Sequence, residues 1–528
     1  MHHGTGGFDY VVVGGGSAGC VLAARLSEQA DARVLLLEAG PADRSPFIHI
    51  PAGYFVMNPA RLDWGYRTVP QRHAGNREMP YTQARVLGGG GSINAQVFTR
   101  GTPADYDRWA EQGCPGWSFA DIRHCFLRME DNDTLAAPWH GQGGPLGITT
   151  RPPNRLTRAF VAACVEAGMV RNADFNGARQ DGAGAYQTTT RHGRRCSAAV
   201  GYLRPARRRA NLTVATGCRV QRILLAGGRA VGVVYAQHGE LHTAAAAAEV
   251  IVAAGGIGSP LLLLRSGIGP GAQLHAQGVT VQHDLQGVGE NLHDHYTIDL
   301  TYALGGAYGL DRYRRRHWKA LAAAQYVLLR GGPARSTIVE GGAFLRVDAA
   351  ATAPDTQLHF VAGAGVPEGF PPLPTRHGCM LNAYVLRPKS RGTLRLQGAD
   401  PALPPAIDPN FLADPDDLRL TLAAVARMRE IMQQPALRPF LHHEHLPGDA
   451  ALEPFVRSAG RTGYHPSGAC KMGTDALAVV DPQLRVRGLA GLRVCDSSVM
   501  PSLVSSNTNA PTLMIAERGA ELLRGGSK

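Results

Sequence analysis

Short, wholly apolar runs that feed into glycine clusters are the dominant pattern along this chain. The first is Tyr10–Val13, which leads into Gly14, Gly15 and Gly16; Ser17–Leu26 then carries apolar residues at helical spacing. Val34–Leu37 is a second such run and ends at Glu38. Apolar runs this short predict parallel strands buried on both faces. The pattern returns late, in "AEVIVAAGGIGSPLLLLRSGIGP" (Ala248–Pro270), where a strand meets Gly255, Gly256 and Gly258 before an apolar helix. Ahead of it, "NLTVATGCRVQRILL" alternates as strands do, and the alanine run Ala244–Ala248 reads as a loop or short turn.

The later chain has a different texture. "TQLHFVAGAG", "CMLNAYVLRP" and "GTLRLQG" alternate apolar and polar positions, as half-buried strands do. "PPLPTRHG" and "PALPPAIDPNF" are proline-rich connections, and Asp414–Pro435 opens on acids and stops at a proline, a helix signal. Together these patterns predict an α/β chain (α+β overall) of more than one part. At 528 residues it is too long for one simple core.

The first glycine cluster carries chemistry. Gly14, Gly16 and Gly19 satisfy G-x-G-x-x-G between a strand and a helix, and Glu38 follows nineteen residues after Gly19. Gly14 makes the tight turn, Gly16 lets backbone approach a pyrophosphate, and Gly19 lets helix and strand pack closely. Glu38 can accept hydrogen bonds from a ribose. This is a Rossmann-like dinucleotide site, and its chemistry alone does not separate FAD from NAD. The late return of strand and glycines implies a nucleotide-binding domain assembled from discontinuous segments.

Composition narrows the partners. The chain is 44% hydrophobic and 18% charged, with no apolar run near the ~18–20 residues a membrane helix needs. The opening "MHHGTGGFDY" lacks a basic-then-apolar leader, so a cytoplasmic protein is expected. Nine dispersed cysteines with no CxxC pair argue against a disulfide framework. The net charge of +12 is nearly all arginine, with lysine only at 319, 389, 471 and 528. Arg207–Arg209 and Arg314–Arg316 raise nucleic-acid or anionic-surface binding. No basic-aromatic motif accompanies them, so they read as solvated arginines and no nucleic-acid partner is expected.

Four blocks in order resemble the glucose–methanol–choline (GMC) family of FAD oxidoreductases. They are "ARVLGGGGSIN", "GGIGSPLLLLRSGIG" (with Gly256 where alanine is expected), "VGENLHDH" and "VCDSSVMPSLVSSNTNAPTLMIAER". Within the family, "RRCSAAVGYLRPA" and "YVLRPKSRGTLRL" are most similar to the L-sorbose-oxidising branch. Likeness to the choline-, polyethylene-glycol- and hydroxymethylfurfural-oxidising branches is looser. The resemblance implies an FAD-binding domain from residues 1–155, 195–297 and 462–528, and a substrate domain from 156–194 and 298–461. The second should hold an antiparallel sheet flanked by helices. It further implies oxidation of a CH–OH group of an alcohol, polyol or ketose, by hydride transfer to flavin N5 with a histidine base. Electrons would pass to a quinone, a dye-like acceptor or O2, in a monomer or homodimer. Some members link FAD covalently through a histidine at the position of Ile93, so FAD is expected to be non-covalent here. Lyases on the same fold are the competing class.

Site residues follow from the matched blocks. Ser17, Ala18 and Ala39 extend the first nucleotide motif; Leu87, Gly89, Ser92, Asn94 and Ala95 belong to the "GGGGSIN" block. Val220 matches the strand position whose backbone holds the adenine; Ala254 is a further expected cofactor contact, with Trp64 and Tyr464 near the cofactor. Asp496, Ser497, Ala510 and Thr512 complete the expected FAD contacts. Read locally, His465 in "GRTGYHPSGACKMG" is a packing residue, a metal ligand with Cys470, or a base. The family resemblance implies the base, and implies Asn509 as the partner that holds the substrate oxygen. Asn509 also reads as the cap of a helix beginning near Pro511, whose positive end would face the flavin. Glu340 reads either as a substrate contact or as an ordinary salt-bridge partner. "LHHEHL" (Leu441–Leu446) has metal-like spacing without a partner cluster, so no metal is expected. "HDH" (His293–His295) reads as structural.

Overall fold

The computed structural model describes residues 7–55, 57, 61–364 and 371–525. Residues 1–6, part of the segment read for a leader, lie outside the described residues. Two sheets organise the chain. The first runs in the order 219–226, 229–237, 240–252, 8–13, 34–38, 212–216, and strand Leu492–Val494 pairs with 240–252. Its centre is parallel: Phe8–Val13 lies between Glu240–Val252 and Val34–Glu38. Val11, Val12, Leu36 and Ile251 are completely buried, the cost-free way to bury a strand without polar side chains. Helix Ser17–Leu26 begins where the first glycine cluster ends, as its pattern predicts.

The alanine run corrects one expectation. Ala244–Ala248 lies inside the 13-residue strand Glu240–Val252, not in a turn. Ala244 and Ala246 point inward while Ala245 and Ala247 are exposed, so the run does alternate, with side chains too small to display it. One half of that strand pairs antiparallel with Arg229–Gln237 and the other half pairs parallel with Phe8–Val13. Pairing of this kind overrides alanine's low strand preference.

The second sheet is antiparallel, in the order 441–446, 296–304, 378–385, 356–361, 339–345, 182–185. Its two faces separate by period two. Ile298, Leu300, Leu358, Phe360, Leu381 and Ala383 are buried together with Leu156, Phe160, Met428 and Ile431 of helices Arg155–Glu166 and Pro415–Met432. Thr297, Asp299, His359, Asn382 and Tyr384 take the opposite face. Asp414 caps Pro415–Met432 by accepting from the Asp416 amide, close to the predicted boundaries. Thr393–Arg395 of "GTLRLQG" is a half-buried antiparallel strand, as its alternation predicts, but it pairs with Ala406–Asp408 in a separate ribbon rather than in this sheet. All nine cysteines are buried and unpaired. Among the described residues no helix is long and apolar enough to cross a membrane.

Candidate active site

A cavity of about 670 Å³ reaches from the glycine turn of the first sheet to the polar face of the second. Its glycines sort into two kinds. A Cβ on Gly14 would meet the Ala253 carbonyl oxygen at 2.5 Å, and one on Gly19 would meet the Gly14 carbonyl oxygen at 1.8 Å. Those two are glycine because the protein itself packs there. A Cβ on Gly16 has nothing nearer than 3.9 Å, and one on Gly90 has nothing within 4 Å, yet both line the cavity. Their missing side chains leave room for a bound group, as a pyrophosphate cradle requires.

Glu38 lies at one end of the cavity with both carboxylate oxygens engaged, accepting from the Gly15 and Gly40 amides at 2.7 Å. Burial pushes its pKa up. Carboxylate oxygens keep further lone pairs, so Glu38 can still accept from a ribose. Ala39, Trp64 and Val220 line the same end, with Trp64 stacked on Tyr66 at 5.9 Å. Ser17, Ala18, Gly89, Asn94, Ala95, Ala254, Tyr464, Asp496, Ser497, Asn509 and Thr512 also line the cavity. Gly19, Leu87, Ser92 and Ala510 do not: they support the lining from behind, as when the Ser92 hydroxyl donates to the Leu87 carbonyl at 2.8 Å. Asp496 accepts from the Gly255 amide at 2.8 Å and the Ser259 hydroxyl at 2.5 Å, tying the second glycine helix to the C-terminal block.

His465 lines the other end of the cavity, and its protonation pattern is determined by its neighbours. His295 Nε2 lies 3.0 Å from the Leu386 carbonyl oxygen, which can only accept, so that nitrogen carries the proton. His295 Nδ1 is therefore the acceptor in its 2.8 Å contact with His465 Nδ1. His465 must hold its own proton on Nδ1, which leaves Nε2 with a free lone pair. Among the described residues, the side chain within hydrogen-bond reach of that nitrogen is Asn507, whose Nδ2 lies 3.4 Å away. Burial, then the nearby His295 and His359, hold the His465 pKa well below its usual value, so the ring is neutral. Its backbone amide donates to Asp294 at 2.8 Å, and burial raises that carboxyl to about 6. "HDH" thus has the structural role expected of it, and at a specific place: Asp294 holds the His465 amide and His295 holds its ring.

Asn509, expected beside His465, turns elsewhere. Its amide donates to the Ser17 hydroxyl at 2.8 Å, beside the first glycine turn. The C-terminal helix Asn509–Gly525 begins there, and the Thr508 carbonyl takes its first bond from the Thr512 amide. Thr508, not Asn509, is thus the capping position, and the last loop residue before it, Asn507, meets His465. The loop is pinned on both sides: Asp105 accepts from the Ser505 amide and hydroxyl, and Ser506 donates to the Thr99 carbonyl. "SNTNA" offers two asparagines two residues apart, and only the start of the helix separates their directions.

Glu340 also departs from expectation. It accepts from the Asn154 amide at 2.6 Å, the Asn154 side chain at 2.7 Å and the Ser336 hydroxyl at 2.6 Å. These uncharged donors make it neither a wall of the cavity nor a salt-bridge partner. Cys470 is buried and raised in pKa, and neither ring nitrogen of His465 turns to it. "LHHEHL" forms an edge strand. Among the described residues the one trio spaced for a metal is His124, Cys125 and Glu521, where Arg128 and Arg518 already occupy the carboxylate.

The cavity wall opposite the glycines was not foreseen. Thr297–Tyr384–Gln357 and Asp299–Asn382–His359 form two adjacent rungs across three strands. Asp299 is paired with Arg461 at 3.0 Å and accepts from Asn382 at 2.5 Å. The Tyr384 hydroxyl donates to Gln357 at 2.6 Å, and the Gln357 amide donates to Asn507 at 3.2 Å. The Thr297 hydroxyl is buried without a partner and borders the cavity. Such cross-strand rows appear only once register is known; each strand alone shows merely alternation.

Glycine cradle, buried acid and histidine-lined polar pocket now stand in one cavity, and comparison with known proteins agrees. GMC oxidoreductase family models match residues 8–297 and 388–516. The chain belongs to the GMC oxidoreductase family. It is 38% identical to the alcohol dehydrogenase [acceptor] of Pseudomonas putida, over 98% of this chain and 95% of that one. It is 42% identical to the oxygen-dependent choline dehydrogenase of Pseudomonas syringae pv. syringae, over 98% and 94%. Among solved structures, pyridoxine 4-oxidase from Mesorbium loti superposes with a TM-score of 0.90 at 32% identity, covering 98% and 99%. As a GMC oxidoreductase this protein uses FAD and acts on the CH–OH group of alcohols. The open glycines and Glu38 suit that cofactor.

Proposed function

We propose that this GMC oxidoreductase oxidises a neutral, polyhydroxylated alcohol or ketose of the sorbose type, with His465 as base and Asn507 as the group that orients the reacting oxygen. The observation that carries this reading is the unprotonated His465 Nε2 facing the cavity, 3.4 Å from the Asn507 amide. FAD, when bound, supplies the hydride acceptor. The substrate hydroxyl gives its proton to His465 Nε2, and the Nδ1–H bond to His295 steadies the imidazolium that results. The Asn507 Nδ2 donates to the alcohol oxygen without competing for its proton. Asn509 serves the cofactor side through Ser17.

The polar rungs support a substrate rich in hydroxyls, since Thr297, Asn382 and His359 offer donors and acceptors on one surface. A cation such as choline is disfavoured, because the cavity acid beside these rungs, Asp299, is already neutralised by Arg461. Ile93 lines the cavity and has no nucleophilic atom, which supports non-covalent FAD. The relatives include both an alcohol dehydrogenase [acceptor] and an oxygen-dependent choline dehydrogenase, and the dehydrogenase reading is taken from the likeness to the L-sorbose-oxidising branch.

The test is anaerobic mixing of the yellow protein with sorbose, sorbitol, choline, benzylic and furanic alcohols and short glycols. Neutral polyols or ketoses should bleach the flavin fastest, with slow recovery in air and fast recovery with a quinone. Preferential bleaching by choline would overturn the substrate reading. Bleaching by none of them would move the protein to the lyase class.

A further inference from the structure

One helix is oriented the wrong way for a soluble surface. Arg316–Leu329 buries only Ala322 and Tyr326 against the protein. Leu321, Val327, Leu328 and Leu329 are 55%, 68%, 78% and 74% exposed, the last two among the most exposed large apolar side chains described. Leu321, Ala324 and Leu328 follow the i, i+3, i+7 spacing of a continuous stripe, with Ala320 and Val327 beside it. Amphipathic surface helices normally turn such a stripe inward.

Charge surrounds this stripe with a single sign. Residues 312–339 contain Arg312, Arg314, Arg315, Arg316, Lys319, Arg330 and Arg335 and no aspartate or glutamate. Among the described residues no carboxylate pairs with Arg315, Arg316, Lys319 or Arg330; in this stretch only Arg314 finds an acid, Asp311 at 3.3 Å. The helix is also linked to the cavity lining. It packs on Pro333–Arg335, which packs on Pro51–Phe55, and Tyr54 and Phe55 line the cavity. The Arg314 guanidinium sits 5.7 Å over the Phe55 ring.

We propose that Arg316–Leu329 is a membrane-surface helix that seats its apolar stripe in an anionic lipid leaflet, with the cavity rim turned toward that leaflet. An exposed leucine stripe flanked by arginine and lysine is the pattern of helices that lie in the interface plane. A second copy of this chain fits the same stripe less well. Self-association would bring two unpaired Arg315–Arg316–Lys319 clusters together, whereas an anionic leaflet neutralises them. Each arginine near such a surface contributes about fivefold in affinity.

Vesicle flotation of the FAD-loaded, full-length protein tests this. Phosphatidylcholine vesicles containing phosphatidylglycerol should carry the protein up at low salt, and pure phosphatidylcholine vesicles should carry about tenfold less. Arg315→Glu/Arg316→Glu should weaken flotation by at least about 25-fold. Leu321→Gln/Leu328→Gln should abolish flotation even at low salt. Both variants should keep their FAD absorbance and their rate of flavin reduction in solution. Two results would overturn the proposal: wild type that stays down with anionic vesicles, or variants that float as it does. A third would be loss of a wild-type dimer in the leucine variant without any vesicle binding, which would make the stripe a contact between copies.

Discussion

In the proposed reaction one proton has one destination, and the order of hydrogen bonds from the Leu386 carbonyl through His295 to His465 selects it. His465→Ala should retain FAD and slow anaerobic flavin reduction by about 10²–10⁴-fold, the usual reach of a general base. Asn507→Ala should also slow reduction, while Asn509→Ala should mainly weaken FAD retention, since its amide meets Ser17 rather than His465. Equal effects of the two asparagine variants on reduction would remove the distinction. His295→Leu tests positioning: with no acceptor at Nδ1, the His465 tautomer is no longer selected. Its rate loss should be partly restored by His295→Gln, whose amide oxygen can accept. The pH dependence has a definite sign. His465 acts as base only when neutral, and burial depresses its pKa well below 6.5. Flavin reduction should therefore stay fast as pH falls through 6.5, with any acid limb lying lower. A rate that halves near pH 6.5 in the stopped-flow profile would contradict the neutral, buried ring.

Among elements, the C-terminal helix Asn509–Gly525 joins the parts of the site. Glu517, fully buried on it, accepts from Arg25 at 2.9 Å, Arg128 at 2.7 Å and Tyr202 at 2.7 Å. Three distant segments thus converge on one carboxylate. Glu517→Ala leaves two guanidinium groups without their main partner and should cost about 3 kcal/mol, read as a lower denaturation midpoint. Glu340→Ala makes a contrasting case. Its carboxylate serves Asn154 and Ser336, so it should lower thermal stability while leaving KM unchanged. A raised KM at unchanged stability would return Glu340 to the substrate site. Element boundaries were legible where an apolar run meets a glycine turn, as at Ser17–Leu26, or a capping acid, as at Asp414. They were not legible at Ala244–Ala248, where neighbours on both sides supply the pairing that alanine does not signal.

For the whole molecule, the proposed non-covalent cofactor predicts that acid precipitation releases all the FAD into the supernatant; yellow colour left in the pellet would reveal a covalent link. Arg461→Ala should free Asp299 and improve turnover of choline relative to neutral alcohols, seen as a lower KM for the cation. The chain by itself determined the nucleotide-binding turn and the discontinuous parallel sheet; for His465 it left three local readings open, and only the family resemblance singled out one. Those features rest on local rules: glycine where backbone must turn or approach closely, and apolar runs where strands are buried. What tertiary structure decided is everything that depends on direction. It set Asn507 rather than Asn509 beside His465, made His295 a hydrogen-bond partner of His465, turned the Glu340 carboxylate to Asn154 and Ser336, and built the polar wall of Asp299, Asn382 and His359. Residues two apart in sequence face the same or opposite ways according to whether a helix or a strand holds them. Residues far apart meet only through register, and a single sequence states neither.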